Sequence, residues 1–405
     1  MTTETLQRPT YGGLVHVPGV PALLGSSLVS RVANRLWEVG LVLYVLQRFH
    51  SASLAGLTVF LSIAPGLALS PVTGALLDRY GRRMLIILDN LVASGAMLAL
   101  GLLGLTGALS SGLLLIIVSA ASFTFPLSVS GTRSLFPIVI PRPLWDLGNA
   151  VDSGSDAIAA VIGPALSGAL VALVGGPSTL LFTAGLFAAA AVAMFNVPMP
   201  SSARGGQGSR EPLLRAAWAG VRYVVRNRSL RALAVVMSIG NLGFGQLYVI
   251  LPVLVLQRYR GGPGTVGVLW GVMGVATVLS GVVVGRLGSE GRERLMLALG
   301  FALLPVGLVA IALPWWAAVI AGLVVCGLAI GPIDIALFSL RQRRTDPAWF
   351  GRAFAVSMAL NFAGVPIGSG IAGPLVSVST TLALGVAAGL GAMAAVLCVT
   401  VPRAA

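Results

Sequence analysis

The chain has 405 residues, of which 57% are hydrophobic and only 9% are charged, against about 25% charged residues in a typical soluble domain. So few charged side chains cannot cover a soluble globular protein of this length, and the composition also excludes a disordered chain and a disulfide-rich secreted one. The net charge is +14, and all 26 basic residues are arginine. We interpret this excess as loop anchors on the cytoplasmic side of a membrane, so nucleic acid is not an expected partner.

Twelve apolar stretches are long enough to cross a bilayer, since a spanning helix needs about 20 residues. They cover residues 18–46, 53–77, 84–106, 111–134, 148–174, 177–197, 229–257, 263–286, 294–313, 315–340, 352–376 and 378–400. The sequence therefore predicts an all-α membrane protein with twelve transmembrane helices.

The arginine distribution predicts the orientation. With the N-terminus inside, 21 arginines fall in cytoplasmic segments or at cytoplasmic helix ends, three fall outside and two lie within the first span. No secretory signal pattern precedes the first span. We expect a multi-pass protein of the inner (plasma) membrane with both termini in the cytoplasm.

The chain reads as two related halves. Residues 1–197 form an N-terminal six-helix half, 198–228 a cytoplasmic linker, and 229–405 a C-terminal six-helix half. Three short patterns recur at nearly the same offset: 74–81 at 281–288, 164–168 at 366–370, and 143–145 at 347–349. Parallel six-helix halves with a binding site between them are a transporter architecture.

The linker begins with a Gly- and Ser-rich stretch and continues with an amphipathic segment. Leu214, Trp218, Val221 and Val225 fall on one side of this segment, and arginines fall on the others. This pattern is typical of an interfacial helix that lies on the inner leaflet.

Two motifs resemble those of the major facilitator superfamily. They are Gly74-Ala-Leu-Leu-Asp78-Arg79-Tyr-Gly81-Arg82-Arg83 between spans two and three, and Gly163-Pro164-Ala-Leu-Ser-Gly168 in span five. The first resembles the signature loop of the superfamily, and the second resembles the Gly-Pro motif of its antiporter branch, without the usual paired glycine. The layout is similar to that of the twelve-span drug and siderophore exporters. The resemblance implies the major facilitator fold and secondary active transport by alternating access.

The resemblance also implies roles for these residues. Asp78 would face the N-terminus of span eleven, where the helix dipole is positive, and Arg79, Arg82 and Arg83 would contact phosphates and neighbouring helix ends. Together they would form a latch that holds in one state and breaks in another. The alternative is that the arginines only anchor the loop. In the second copy of the loop Gly285 replaces the aspartate.

The Gly-Pro motif has two interpretations as well. In the antiporter branch, a bend at the residues equivalent to Gly163 and Pro164 seals the cavity against leak. The alternative is an incidental kink in the helix.

Span one carries a polar stripe. Arg31, Asn34, Arg35 and Glu38 are spaced i, i+3, i+4 and i+7, which places them on one helical face. A charge at the bilayer centre costs at least about 2.5 kcal/mol on insertion scales, so this face requires an aqueous cavity or polar partners. We predict that it lines the central cavity and that Glu38 carries the coupled proton. The alternatives are a static Arg35–Glu38 pair, and Asp334 in span ten as the proton site.

Three other acids lie in or beside the spans. Asp152 and Asp156 are spaced i, i+4 near the start of span five, and we expect them to pair with Arg133 or Arg142 across the loop. We expect Asp89, near the inner end of span three, to pair with an arginine of the signature loop. These pairs would be structural and would not contact cargo.

Aromatic and amide side chains supply candidate cargo contacts. Asn241, Phe244 and Tyr248 share one face of span seven, and Asn361 lies in span eleven. Such groups in a cavity suit a bulky amphipathic molecule. The alternative is that they pack between helices.

Nothing in the sequence indicates an enzyme. His16 and His50 lie outside the spans, and Cys326 and Cys398 lie inside apolar stretches, so neither a metal site nor a disulfide is predicted. A nucleotide-binding P-loop requires lysine, which the chain lacks. We therefore expect no cofactor and an ion gradient, most simply of protons, as the energy source.

The leading hypothesis is proton-coupled efflux of small amphipathic organic molecules such as drugs or natural products. The expected partners are the small-molecule substrate and membrane lipids, and we expect a monomer. The alternative is uptake or flipping of an anionic or lipid-like solute by the same fold, motivated by Arg31 and Arg35 in the cavity. A non-transporting scaffold is a third hypothesis, but the long loops typical of one are absent from the sequence.

Overall fold

The structure is a computed structural model that describes residues 10–198, 213–287, 289–346 and 350–402, and these form helices without any β-strand. The first eight helices are α1 Tyr11–His16, α2 Val20–Phe49, α3 Ala52–Tyr80, α4 Arg82–Leu105, α5 Ser111–Ser122, α6 Phe125–Val139, α7 Trp145–Val174 and α8 Gly176–Phe195. The other nine are α9 Leu213–Arg226, α10 Arg228–Gly245, α11 Leu247–Val253, α12 Pro263–Leu287, α13 Glu293–Ala312, α14 Trp316–Arg344, α15 Phe350–Phe362, α16 Gly364–Val378 and α17 Thr380–Leu397.

Within the described residues, eleven segments are long and apolar enough to cross a membrane. The twelfth span is α2. Its 30 residues extend about 45 Å at 1.5 Å per residue, but Arg31, Arg35 and Glu38 lower its hydropathy. The prediction of twelve spans is confirmed. The least apolar span is α2, because it carries the polar stripe.

Three predicted spans are interrupted. The fourth consists of α5 and α6, the seventh of α10, α11 and a π-helical turn at Leu254–Arg258, and the eleventh of α15 and α16. Pro126 and Pro366 fall in the first turns of α6 and α16, where a missing backbone N–H is tolerated. Neighbouring helices satisfy the polar groups that such breaks release.

The two halves use the same helix pairs. In the first half, α2 packs on α7 and α8, and α4 packs on α8. In the second half, the counterpart of α2 is α10, which packs on α16 and α17, and α13 packs on α17. The repeated pairing agrees with the duplication inferred from the recurring motifs, and the predicted fold class is confirmed.

One contact between the halves is the pair α3 and α16. Their backbones approach so closely that a Cβ on Gly56 would overlap the carbonyl oxygen of Ser369, and a Cβ on Gly373 would lie 2.5 Å from the Cα of Ser53. These residues lie at the end of the bundle opposite the signature loop. The halves are therefore closed against each other at that end.

A second contact between the halves is the pair α7 and α12. At the same end, a Cβ on Gly168 would lie 2.8 Å from the Cα of Gly267. An apolar groove of about 320 Å³ lies beside this contact, on the exposed side of the two helices. Its lining residues are Ala157, Ile158, Val161 and Ile162 from α7 and Val275, Val278 and Leu279 from α12. Along this pair the halves are in close contact from Gly168 and Gly267 to Ala160 and Gly274.

The predicted linker helix corresponds to α9. It buries Val224 against Leu230 and Val356, while Trp218 is 69% exposed and Val225 is exposed. The start of the linker and the side chain of Leu214 lie outside the described part of the chain. An exposed indole beside arginines suits a membrane surface, so the inner-leaflet location stays a prediction.

Candidate functional site

The first element of the site is an ion pair between α2 and α7. The Arg31 Nη2 atom lies 2.6 Å from Asp152 Oδ1, and its Nε atom lies 3.9 Å from Asp156 Oδ1. Arg31 also donates to the Asp152 backbone carbonyl at 2.7 Å and to the Ser155 hydroxyl. Arg31 and Asp152 are mostly buried, at 19% and 16% side-chain exposure. The charge in span one is thus neutralised by a helix more than a hundred residues further along the chain.

The expected pairing of Asp152 and Asp156 with loop arginines is wrong. The guanidinium of Arg133 lies over the Phe338 ring, 5.8 Å from its centroid, and that of Arg142 lies over Trp145 at 5.7 Å. Because α7 packs along α2, its acids at i and i+4 face Arg31 instead of the loop.

The second ion pair lies one turn further along α2. Arg35 Nη1 is 3.3 Å from Glu38 Oε2, at i, i+3 spacing. Tyr248 of α11 and Asp156 of α7 lie within electrostatic reach of both groups. The sequence offered this pair as the alternative to a proton-carrying Glu38, and the structure adds that groups from both halves lie near it.

Asp334 of α14 completes the charged set. It is exposed, yet it lies within electrostatic reach of Arg35 and Asp156 in the other half. It therefore faces the space between the halves, not the lipid. Asp334 is ten residues from the end of α14 and Asp156 is eleven from the start of α7, so both lie roughly 15 Å along their helices, near the middle of a bilayer core of about 30 Å.

Three aromatic rings border this space from the second half. Phe244 lies 6.2 Å from Tyr248 and 6.5 Å from Trp270 between ring centroids, in edge-to-face geometry, and Tyr248 lies 5.1 Å from Trp270. Sequence reasoning singled out Phe244 and Tyr248 but missed Trp270. The sequence shows Trp270 only as one aromatic residue in span eight, because its contact with span seven is a tertiary contact.

Asn34 points elsewhere. Its Nδ2 donates to the Ser30 carbonyl at 2.8 Å, and its side chain lines a small pocket of about 20 Å³ inside the first half. Asp89 lines the same pocket and lies beside the hydroxyls of Thr124 and Ser128. Among the described residues Asp89 forms no ion pair, so the expected pairing with the signature loop is wrong, because α4 turns this carboxylate into its own half.

The two amides of the second half are engaged in helix contacts. Asn241 Nδ2 donates to the Asn361 carbonyl at 2.8 Å. Asn361 is 1% exposed, and in the orientation that satisfies its amide it donates to the Ser357 carbonyl at 3.1 Å and accepts from Arg341. Neither amide belongs to the group of charged and aromatic residues around Arg35.

The signature loop forms a tight turn between α3 and α4. Gly81 has a φ of 88°, a backbone conformation that favours glycine. Gly74 and Asp78 lie in the last turns of α3, but the side chain of Asp78 lies outside the described part of the structure. The end of α3 is adjacent to α15 of the other half. Because the position of the Asp78 carboxylate is not described, the latch stays a prediction.

The loop arginines have different surroundings. Arg83 Nη1 donates to the Val197 carbonyl at 2.8 Å, beyond the end of α8. Arg79 lies over the ring of Tyr80 at 5.5 Å, and Arg82 is half-buried. Arg83 thus contacts the chain just beyond a neighbouring helix end, and the state-dependent role of the loop arginines stays a prediction.

The Gly-Pro motif lies where α7 contacts both α2 and α12. A Cβ on Gly163 would overlap the Cβ of Arg35, and a Cβ on Gly267 would lie 2.7 Å from the Pro164 carbonyl oxygen. The helix continues through Pro164 from Trp145 to Val174. The motif therefore allows close packing beside the charged residues and between the halves.

Known proteins identify the family. Residues 23–369 match the protein family described as Major Facilitator Superfamily. The chain belongs to this superfamily. It is 35% identical over 397 residues to the uncharacterized MFS-type transporter y4rN of Sinorhizobium fredii, with 97% of each chain covered. It is 26% identical over 369 residues to the multidrug efflux pump Tap of Mycobacterium tuberculosis, covering 87% of this chain and 86% of that protein.

A solved structure supports the fold. The crystal structure of the nucleoside transporter NupG superposes with a TM-score of 0.75 over 95% of this chain and 99% of that one, at 13% sequence identity. Identity this low concerns the fold alone. This major facilitator is thus a multi-pass membrane transporter. No group of His, Cys, Asp and Glu side chains in the described ranges is arranged to hold a metal ion.

Proposed function

We propose that this major facilitator exports small amphipathic organic molecules and that entry of protons drives the export. The observation that carries the proposal is the Arg35–Glu38 ion pair. It lies in the middle of a membrane helix, within electrostatic reach of Tyr248 in the other half. A charged pair in the membrane interior is costly and typical of ion and substrate pathways.

The coupling step is protonation of Glu38. A neutral Glu38 no longer compensates Arg35, so the guanidinium must move towards another carboxylate. The charged and titratable groups around the pair are Arg31, Asp152 and Asp156 from the first half and Tyr248 and Asp334 from the second. Because these groups lie on both halves, a change at Glu38 alters the attraction between the halves. Each proton that crosses 100 mV supplies about 2.3 kcal/mol.

The packing of the halves supports loading from the signature-loop end. They are closed at the opposite end by the glycine contacts of α3 with α16 and of α7 with α12, which leaves the signature-loop end as the route of entry. With that end in the cytoplasm, as the arginines predict, this state would accept cargo from inside. Export then requires the glycine contacts at the other end to open.

The relatives support efflux over uptake. Tap is described as a multidrug efflux pump. The alternative of an anionic cargo depended on Arg31 and Arg35, and both guanidinium groups have carboxylate partners. Neither arginine offers the uncompensated positive charge that an anion would need.

The test uses everted membrane vesicles that hold a proton gradient. Cationic, neutral and anionic amphiphiles are added separately while a pH-sensitive dye reports the vesicle interior. We expect at least one class to release protons, and a protonophore and the Glu38→Gln variant to abolish that response. Glu290→Gln, an exposed acid outside the site, is the matched control. Export that persists after the gradient has collapsed would refute proton coupling.

A further inference from the structure

We propose that the central site binds organic cations, with Asp156 and Asp334 holding the positive charge of the cargo and with Phe244, Tyr248 and Trp270 packing against its apolar body. The inference rests on the proposed function and names the substrate class of that site. Three independent features of the described residues carry it.

The first feature is the charge balance. Arg31 is compensated by Asp152, and Arg35 is compensated by Glu38. Asp156 lies only at the edge of ion-pair distance from Arg31, and its side chain is 55% exposed. Asp334 is exposed and has no arginine within ion-pair distance among the described residues. The site thus contains two guanidinium groups and four carboxylates. Its excess negative charge lies on Asp156 and Asp334, which are both exposed.

The second feature is the placement of these acids on opposite halves. Asp156 belongs to α7 and Asp334 to α14, and each lies within the electrostatic reach of the other. Like charges in a site of low dielectric constant repel each other. A cation between them would replace this repulsion with two attractions and would draw the halves together. Binding of the cargo would then favour one arrangement of the halves over another, which transport by alternating access requires.

The third feature is the aromatic cluster. The faces of Phe, Tyr and Trp rings attract organic cations, and Trp attracts them best. Trp270 is 5% exposed, and its indole N–H has no acceptor among the described residues. A buried donor without a partner is uncommon in a folded protein. Because this nitrogen is enclosed, an acceptor group on the cargo would satisfy it only after a shift of the neighbouring side chains.

The other positive groups lie nearer the mouth of the cavity. The guanidinium groups of Arg133 and Arg341 both lie near the Phe338 ring, 5.8 Å and 5.9 Å from its centroid. They approach the ring from α6 and from α14 itself, on the signature-loop side of Asp334. Neither guanidinium lies within ion-pair distance of Asp334.

The test is equilibrium binding to the purified full-length protein in lipid nanodiscs, without any gradient. The probes are radiolabelled tetraphenylphosphonium and tetraphenylborate, two ions of the same shape and opposite charge. We expect tetraphenylphosphonium to bind and tetraphenylborate not to bind. Asp334→Asn and Asp156→Asn should each weaken cation binding at least about tenfold, since a nearby unit charge contributes more than 1.4 kcal/mol at intermediate dielectric constant. Trp270→Leu should weaken it roughly fivefold.

The controls separate charge from folding. Asp334→Glu keeps the charge and should bind nearly as well as the wild type, and Glu290→Gln should bind identically. If Asp334→Asn fails to elute as a monodisperse protein, Asp156→Asn decides the result, because the Asp156 side chain is 55% exposed and its replacement disturbs little packing. Equal binding of both probes, or cation binding that neither asparagine variant weakens, would overturn the assignment.

The result is also distinguishable from failure of the proposed function. Cation binding could depend on both aspartates while the everted vesicles show no transport. That result would support the cation site and refute the exporter proposal. Conversely, the protein could export neutral or anionic compounds along the gradient without binding tetraphenylphosphonium. That result would support the exporter proposal and refute the cation site.

Discussion

At the scale of single residues, the arginines of α2 explain why a charged helix lies inside a membrane protein. An isolated charge there is expensive, but Arg31 receives a carboxylate from α7 and Arg35 receives one from its own helix. Removing one member of a buried pair leaves the other uncompensated, whereas removing both is often tolerated. This difference gives a test of whether the Arg31–Asp152 pair holds α2 against α7.

We expect Arg31→Gln and Asp152→Asn each to lower the free energy of unfolding by about 2–3 kcal/mol, at the low end for breaking a buried pair because both groups retain some exposure. The double variant should lose less than the sum of the two. The measurement is thermal unfolding in detergent, read as a double-mutant cycle. Additive losses would show that the two side chains do not stabilise each other.

At the scale of helices, glycines decide where the halves touch. Backbones of α3 and α16 meet at Gly56 and Gly373, and beyond this contact the hydroxyl oxygens of Ser53 and Ser377 lie 3.5 Å apart. Membrane helices associate through such small residues because van der Waals contact replaces the missing hydrophobic force. This end of the bundle is therefore closed by packing that can separate without breaking a charged contact.

A disulfide can test this closure. The Ser53→Cys/Ser377→Cys double variant should cross-link rapidly on oxidation, since the two side chains are within disulfide reach. Transport should stop in the oxidised protein and return on reduction. The native Cys326 and Cys398 are buried and unpaired, so the wild type is the control. Transport that continues after complete cross-linking would show that this end does not open.

Contact between α7 and α2 depends on Gly163, which packs on Arg35. We expect Gly163→Val to displace the Arg35 side chain, to destabilise the protein by about 1–3 kcal/mol and to abolish coupled transport. Gly185→Val is the matched control, since no atom in the described structure lies within 4 Å of a Cβ at that position of α8. Equal effects of the two substitutions would indicate a general cost of valine and no specific role for Gly163.

At the scale of the whole molecule, the orientation in the membrane follows from charge outside the bilayer core. The arginines cluster at the signature-loop end, and short loops rich in arginine remain in the cytoplasm. The direction of transport inferred from the closed end depends on this orientation.

Labelling of intact cells can check the orientation. A cysteine in place of His50, at the exposed end of α2 opposite the signature loop, should react with a membrane-impermeant maleimide. A cysteine in place of Glu290, in the exposed turn between α12 and α13, should react only after the cells are opened. The reverse pattern would invert the orientation and turn the proposed exporter into an importer.

The sequence by itself determined the features that depend on local composition. Twelve spans, the two halves and the linker helix follow from hydropathy and short motifs, because lipid acts on each helix separately. The Arg35–Glu38 pair was also predictable, since both residues lie on one turn of one helix. Only the tertiary structure decided that Arg31 pairs with Asp152, that Asn361 is buried and that Trp270 joins Phe244 and Tyr248. The physical reason is that these contacts depend on which helices become neighbours and how they are rotated, and helix packing settles both after the spans have formed.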